Sequence, residues 1–242
     1  MMHKQRGVRF YDDSGGVDFH TCRDMGIFMT NKIINLPEPK INTISIRGRD
    51  GDLDISDAHG RLRYNNRVLN FHFTISDNSA KSMQRKLQKI ASLVHGKKMH
   101  IIEDDDVTHY YIGRCAISEP TIIPHFIRFG ISCNCDPFRY DNNDCGLWEW
   151  DSFDFENDIA TEYEDITFRE REDVIVVAGD KLTYPTITCN TDMQMMYNNE
   201  MYQLHTGVNT PEIILNTGVN TLSFLLDNGI GIVSIQYRGG YL

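Results

Sequence analysis

Apolar and polar side chains alternate along much of this 242-residue chain. Leu69, Phe71, Phe73 and Ile75 are interleaved with Asn70, His72 and Thr74. That period of two gathers the apolar set on one face of a half-buried strand. Ile127, Phe129, Ile131 and Cys133 stand in the same relation to Arg128, Gly130 and Ser132, and Ile44 and Ile46 to Thr43 and Ser45. Apolar or β-branched runs predict further strands over Ile27–Ile34, Lys98–Glu103, Tyr110–Ile117, Val174–Val177, Pro185–Cys189, Thr221–Leu226 and Gly231–Tyr237. One stretch keeps a different period. Met83, Leu87, Ile90 and Val94 recur at helical spacing while Lys81, Arg85, Lys86 and Lys89 fall elsewhere on the wheel, which predicts an amphipathic helix over 79–95 with a solvated basic face. Asp77, Asn78 or Ser79 can cap its start, and Gly96 is placed to end it in a left-handed conformation.

The chain is long enough for two modest domains, which commonly run ~100–200 residues. Composition shifts after Asp136-Pro137-Phe138, where a turn-rich polar run, Asp141-Asn142-Asn143-Asp144, leads into a stretch crowded with acids and aromatics. The predicted division is 1–138 and 139–242. In the second part, short strands with turn signals at Asn198-Asn199 and Asp227-Asn228-Gly229 read as a β-sandwich. Thr206-Gly207-Val208-Asn209-Thr210 recurs as Thr217-Gly218-Val219-Asn220-Thr221, two similar loops introducing strands.

Charge and cysteine content narrow the function. A formal net charge of −10 argues against tight or specific nucleic-acid binding, which needs Lys and Arg to displace counterions. No apolar run approaches the ~18 residues of a membrane span, and Met1–Arg6 lacks the apolar stretch of a secretory signal, so the expected site of synthesis is a cytoplasm. Six irregularly spaced cysteines, Cys22, Cys115, Cys133, Cys135, Cys145 and Cys189, read as free structural thiols in that compartment. Cys133-Asn134-Cys135 lacks the paired spacing of a zinc site.

Candidate chemistry is sparse. Gly48-Arg49-Asp50-Gly51-Asp52-Leu53-Asp54 resembles a calcium loop, but the twelfth residue from Asp50 is Arg61 where an EF-hand places a bidentate Glu. A turn with an acidic rim between two strands is the reading, and Asp50, Gly51 and Asp54 become candidate assembly-loop residues. Asp104, Asp105 and Asp106, after Glu103, fall at a hairpin tip; a solvated surface loop is the plain account, and ion binding or subunit docking the sharper one. Trp148 and Trp150, with Phe153 and Phe155, alternate with Glu149, Asp151 and Asp154, the pattern of a strand's buried face or of a sugar-stacking platform. No nucleophile elbow, phosphate loop or His-Glu-x-x-His is present, so neither an enzyme nor a bound cofactor or metal is expected. A glycan hydrolase with dispersed carboxylates would need two facing each other across a cleft at ~5–10 Å.

Taken in order, these features resemble the distal tail protein family of siphophages that infect Gram-positive bacteria. The features that carry the likeness begin with a Gly-rich segment, then strands around Ile27–Ile34 and Ile41–Arg47, the Gly48-x-Asp50-Gly51-x-x-Asp54 turn, Tyr64 and the Val68–Ile75 strand. The helix and Gly96 follow, then Tyr110-Tyr111-x-Gly113-x-Cys115 and Cys135-Asp136-Pro137-Phe138-x-Tyr140. Gly218 to Phe224 and a last strand like Val233–Leu242 complete the set. The resemblance implies a mainly β protein: a β-sandwich-like N-terminal domain with one helix, six copies of which form a homohexameric ring continuing the tail tube, and a C-terminal galectin-like β-sandwich. It leaves open whether the last strand returns to the first domain. It further implies a place in the virion tail, with the tail tube protein, the tail-tip protein and, in many phages, receptor-binding proteins as partners. Larger family members carry inserted carbohydrate-binding modules, for which this chain has no room. The alternative reading is a carbohydrate-binding module built on the β-sandwich half and Trp148/Trp150.

Overall fold

The computed structural model describes residues 6–58, 60–142 and 163–242. They fall into two compact units, the first reaching Asn142 and joined by Leu242, the second ending at Tyr241. Within the first lie strands β1 (Val8–Tyr11) and β2 (Asp18–His20), helix α1 (Thr21–Met25), and strands β3 (Ile27–Ile34), β4 (Thr43–Ile44), β5 (Leu53–Asp54) and β6 (Arg67–Ile75). Helix α2 (Ala80–Val94) follows, then β7 (Lys98–Glu103), β8 (Asp106–Ile117), β9 (Thr121–Ile123), β10 (Phe126–Cys135) and β11 (Arg139–Asp141).

An antiparallel sheet runs in the order β2-β1-β7-β8-β10-β6-β3. The two most regular alternations pair with each other: Phe129 stands opposite Phe73, Ile131 opposite Phe71 and Cys133 opposite Leu69. Their apolar faces therefore coincide, and the Phe73 and Phe129 rings stack at 5.5 Å. Helix α2 lays Met83, Ile90 and Val94 onto this core. Ser79 caps it, accepting from the Ser82 N–H at 3.1 Å, and Gly96 follows with φ +75°.

The second unit contains β12 (Ile166–Phe168), β13 (Arg171–Val177), β14 (Thr186–Cys189), β15 (Met193–Tyr197), β16 (Glu200–Leu204), β17 (Gly207–Asn209), β18 (Val219–Leu225), β19 (Gly231–Gln236) and β20 (Gly240–Tyr241). Two four-stranded sheets, β12-β19-β14-β17 and β13-β18-β15-β16, share one core. The first contributes Phe168, Ile187, Val233 and Ile235, the second Val176, Met195, Leu222 and Phe224. Inward and outward side chains alternate as a sandwich requires. The fold is mainly β, as the alternation predicts.

The repeated pentapeptide has a physical account. Asn209 Oδ1 accepts from the His205 N–H at 2.8 Å, and Asn220 Oδ1 from the Asn216 N–H at 2.8 Å. Each amide then donates back to the carbonyl of the same residue, His205 at 2.7 Å and Asn216 at 2.8 Å. Gly207 and Gly218 take the positive φ that each turn requires. The two copies are one Asn-closed turn used twice.

Two expectations need amending. Helix α1 is an additional single turn that no apolar period announces; the His20 ring caps it, and Gly26, at φ +62°, ends it. Of the strand expected over Ile41–Arg47, only Thr43 and Ile44 pair, with Asp54 and Leu53. Ile41, Ile44 and Ile46 are exposed, so alternation here marks no buried face.

Candidate assembly surfaces

The four acids at the β7–β8 turn are bound to the first unit. Glu103 pairs with Asp106 across the strands, leaving Asp104 and Asp105 as the turn. Asp104 accepts from the Gly7 N–H at 2.7 Å and faces His20 Nε2 at 2.9 Å. Because His20 Nδ1 already accepts from the Arg23 N–H at 3.0 Å, its Nε2 carries the hydrogen and donates to Asp104. Asp105 meets Arg6 at 3.2 Å and Lys32 Nζ at 2.8 Å, and Lys32 also binds the buried Glu103. Asp106 accepts from Arg139 at 2.8 Å and faces His109 Nδ1 at 2.8 Å.

Electrostatics follow the geometry. Burial pushes the Glu103 carboxyl above its usual range, and Lys32 offsets this only in part. Burial would also raise Asp104 and Asp106, but His20 and the Gly7 N–H at the first, and His109, Thr108 and Arg139 at the second, outweigh it and hold both below the usual carboxylate range. The expected solvated loop is therefore a fastening that ties the Gly7 strand entry, β3 and β11 to one hairpin end. Sequence inspection finds the acids and misses their cations, which come from positions as far apart as Arg6, Lys32 and Arg139.

The second candidate is an arm between the end of β3 and the start of β6. Its two legs are laced by Asn65 N–H to Glu38 O at 2.8 Å, Lys40 N–H to Arg63 O at 2.7 Å and Ile55 N–H to Asn42 O at 2.9 Å, above which β4 and β5 pair. Gly48 and Gly51 take positive φ between those strands. Asp54 accepts from the Ser56 N–H at 2.8 Å and from its hydroxyl, which keeps its carboxyl below the usual range. Asp50 is exposed. The arm also displays Leu36 (74% exposed), Ile41 (66%), Ile44 (48%), Ile46 (42%) and Leu53 (37%). None of these belongs to a buried apolar cluster. Asp50, Gly51 and Asp54 shape the arm, and its aliphatic side chains supply the surface. Trp148 and Trp150, with the strand or sugar platform expected around them, lie outside the described residues.

Residues 21–130 match the phage tail protein RIFT-related domain family. The whole fold is similar to that of the Dit protein of phage SPP1, a hub of the adsorption apparatus of phages infecting Gram-positive bacteria. The TM-score is 0.60 at 16% identity, over 99% of this chain and 100% of that one. Weaker likenesses, TM-scores 0.44 and 0.43 at 8% and 9% identity, link it to chains of the phage p2 baseplate, each over 96% of this chain and 98% of that one. No curated protein matches.

Proposed function

We propose, from the phage tail RIFT-related domain that residues 21–130 carry, that this protein is a structural subunit at the distal end of a long-tailed phage's tail. In this reading it is made in the bacterial host's cytoplasm, and six copies close into a ring in the virion tail. The ring continues the tail tube and joins it to the tail-tip protein, with receptor-binding proteins attaching around it. Its role is mechanical and not catalytic.

The observation that carries the proposal is the arm. A ring built head to tail needs two different, mutually fitting surfaces on every copy. A protruding hairpin with exposed aliphatic side chains is one such surface, because burying it against a neighbour recovers roughly 25 cal/mol for each Å² of apolar area removed from water. Charge favours this occupant. Over residues 36–65, Lys40, Arg47, Arg49, Arg61 and Arg63 balance Glu38, Asp50, Asp52, Asp54 and Asp57, so the arm is neutral in a chain of net charge −10. A second copy can accept it without like-charge repulsion.

Light scattering after size-exclusion chromatography tests the proposal. A ring-sized oligomer is expected, alone or on adding the tail-tip protein. Ile44→Asp with Leu53→Asp should abolish it and leave Tm unchanged, since both side chains are exposed in the isolated chain. A strict monomer under every condition, with no tail-protein binding, overturns the reading.

A further inference from the structure

Cys115 of β8 and Cys133 of β10 stand directly opposite each other in the antiparallel ladder. Antiparallel pairs alternate between a hydrogen-bonded type and a closer, non-hydrogen-bonded type with Cα atoms about 4.5 Å apart. The ladder's own bonds identify which type this is. Ser118 N–H donates to Gly130 O at 2.9 Å and Asp136 N–H to Ile112 O at 2.9 Å, so bonded pairs recur at every second position and Cys115–Cys133 falls between them. The Cys115 backbone turns the other way, donating to Lys97 O at 2.9 Å and accepting from the Gly96 N–H at 2.8 Å. Disulfides accept Cα separations of about 4.4–6.8 Å, which this pair type meets. The Cys133 thiol already donates to Cys115 Sγ at 3.0 Å, and both residues are fully buried. Cys135, two residues on, faces Gly113 across the ladder and so has no cysteine opposite it.

We infer that Cys115 and Cys133 are a built disulfide site, reduced as the chain folds and closed by a small peroxide into a covalent staple between β8 and β10. One thiol sulfur attacks a peroxide oxygen, breaking the O–O bond and releasing water to give a sulfenic acid. The second thiol then attacks that sulfur and displaces a second water. Two S–H bonds and one O–O bond are lost, and one S–S bond and two O–H bonds are gained; each sulfur is oxidised by one electron and the peroxide is reduced to two waters. The Cys115 hydrogen bond, burial and the neighbouring sulfurs all push the Cys133 thiol up, so closure is slow at neutral pH and accelerates as pH rises. The assembly role is not needed for this chemistry; only the setting, a particle released from a reducing host interior, rests on the tail reading.

The test treats the folded, full-length chain with hydrogen peroxide, then reads intact mass and non-reducing peptide maps. The expected result is loss of two hydrogens' mass, a Cys115–Cys133 cross-link, and a Tm on the order of 5–10 °C above that of the reduced form. Cys135→Ala should retain the link, and Cys115→Ala and Cys133→Ala should each remove it. Sulfinic or sulfonic acid at these positions without a link, a link through Cys135, or an oxidised form no more stable than the reduced one overturns the inference. The wild-type peptide map decides it even if a variant fails to fold.

Discussion

Replacing Lys32 with Met probes the β7–β8 fastening. Lys32 Nζ lies against Glu103 and 2.8 Å from Asp105. The Glu103 side chain is only 6% exposed, whereas Lys32 is 27% and Asp105 31% exposed. Breaking a fully buried ion pair from one side costs about 3–5 kcal/mol, because the remaining charge has lost its partner and has no water. The more open Lys32 and Asp105 let some solvent in, so the expected loss for Lys32→Met is about 2–3 kcal/mol. At roughly 2–4 °C per kcal/mol, the transition of the first unit should fall by about 5–10 °C. The pH dependence carries the sign. The Glu103 carboxyl is already raised in the folded state, so folding disfavours its ionised form, and stability is gained as pH falls through the folded value towards the unfolded one. Loss of Lys32 lifts it further. The variant's deficit should therefore be largest near pH 7.5 and shrink towards pH 5. Thermal unfolding followed by near-UV circular dichroism, which reads the Tyr11, Tyr110 and Tyr140 environment, measures this at both pH values. Adding Glu103→Gln to Lys32→Met should recover most of the loss. A deficit equal at both pH values, or a double variant no better than the single one, refutes the argument.

Three further outcomes follow from local geometry. Asp77 is held at about 2 by Ser82, Lys86 and the Asn78 N–H, so its contribution to α2 is present above the ordinary carboxylate range and lost as pH falls through about 2. Far-UV circular dichroism should show an acid-induced loss of helix that Asp77→Asn removes. Ser79→Ala deletes the acceptor for the Ser82 N–H and should cost about 1 kcal/mol in denaturant unfolding of the first unit. Gly231→Ala would place its Cβ 2.7 Å from the buried Phe168 ring, so the second unit should lose about 1–3 kcal/mol while the first unit's transition stays put.

Legibility in the sequence tracks how locally each feature is specified. The β6 and β10 strands and α2 are visible because each carries its apolar period within one segment. The short strands β1 and β2 are too brief for a period to register, and α1 rests on a cap supplied by His20. The acid turn shows the limit most directly. Glu103 to Asp106 are contiguous and conspicuous, yet what they do depends on Arg6, Lys32, His20 and Arg139, which only the sheet order brings to them. The arm misleads in the opposite sense. Alternation at Thr43–Ile46 looks like a core strand, yet Ile44 and Ile46 are exposed and belong to no buried apolar cluster.

Charge is distributed in a way that whole-chain composition conceals. Residues 141–165 hold ten acidic side chains and no Lys or Arg, matching the chain's whole formal charge of −10. Residues 1–140 carry 20 basic against 16 acidic side chains, and residues 166–242 carry 4 against 8. The part that includes residues 21–130, which match the phage tail protein RIFT-related domain family, is thus slightly basic, and its arm is neutral. Acidity of the chain as a whole therefore does not describe the first unit, because one short segment carries a charge equal to the whole. For ring closure the consequence is favourable. At physiological salt, charges separated by more than about 8 Å are largely screened, so only the groups near a contact weigh on it. In the proposed contact those are a balanced arm and a first unit of small net charge, with the turn acids already paired to cations of their own chain. Association there can be decided by the burial of Leu36, Ile41, Ile44, Ile46 and Leu53, and charge is left to set which orientations are refused.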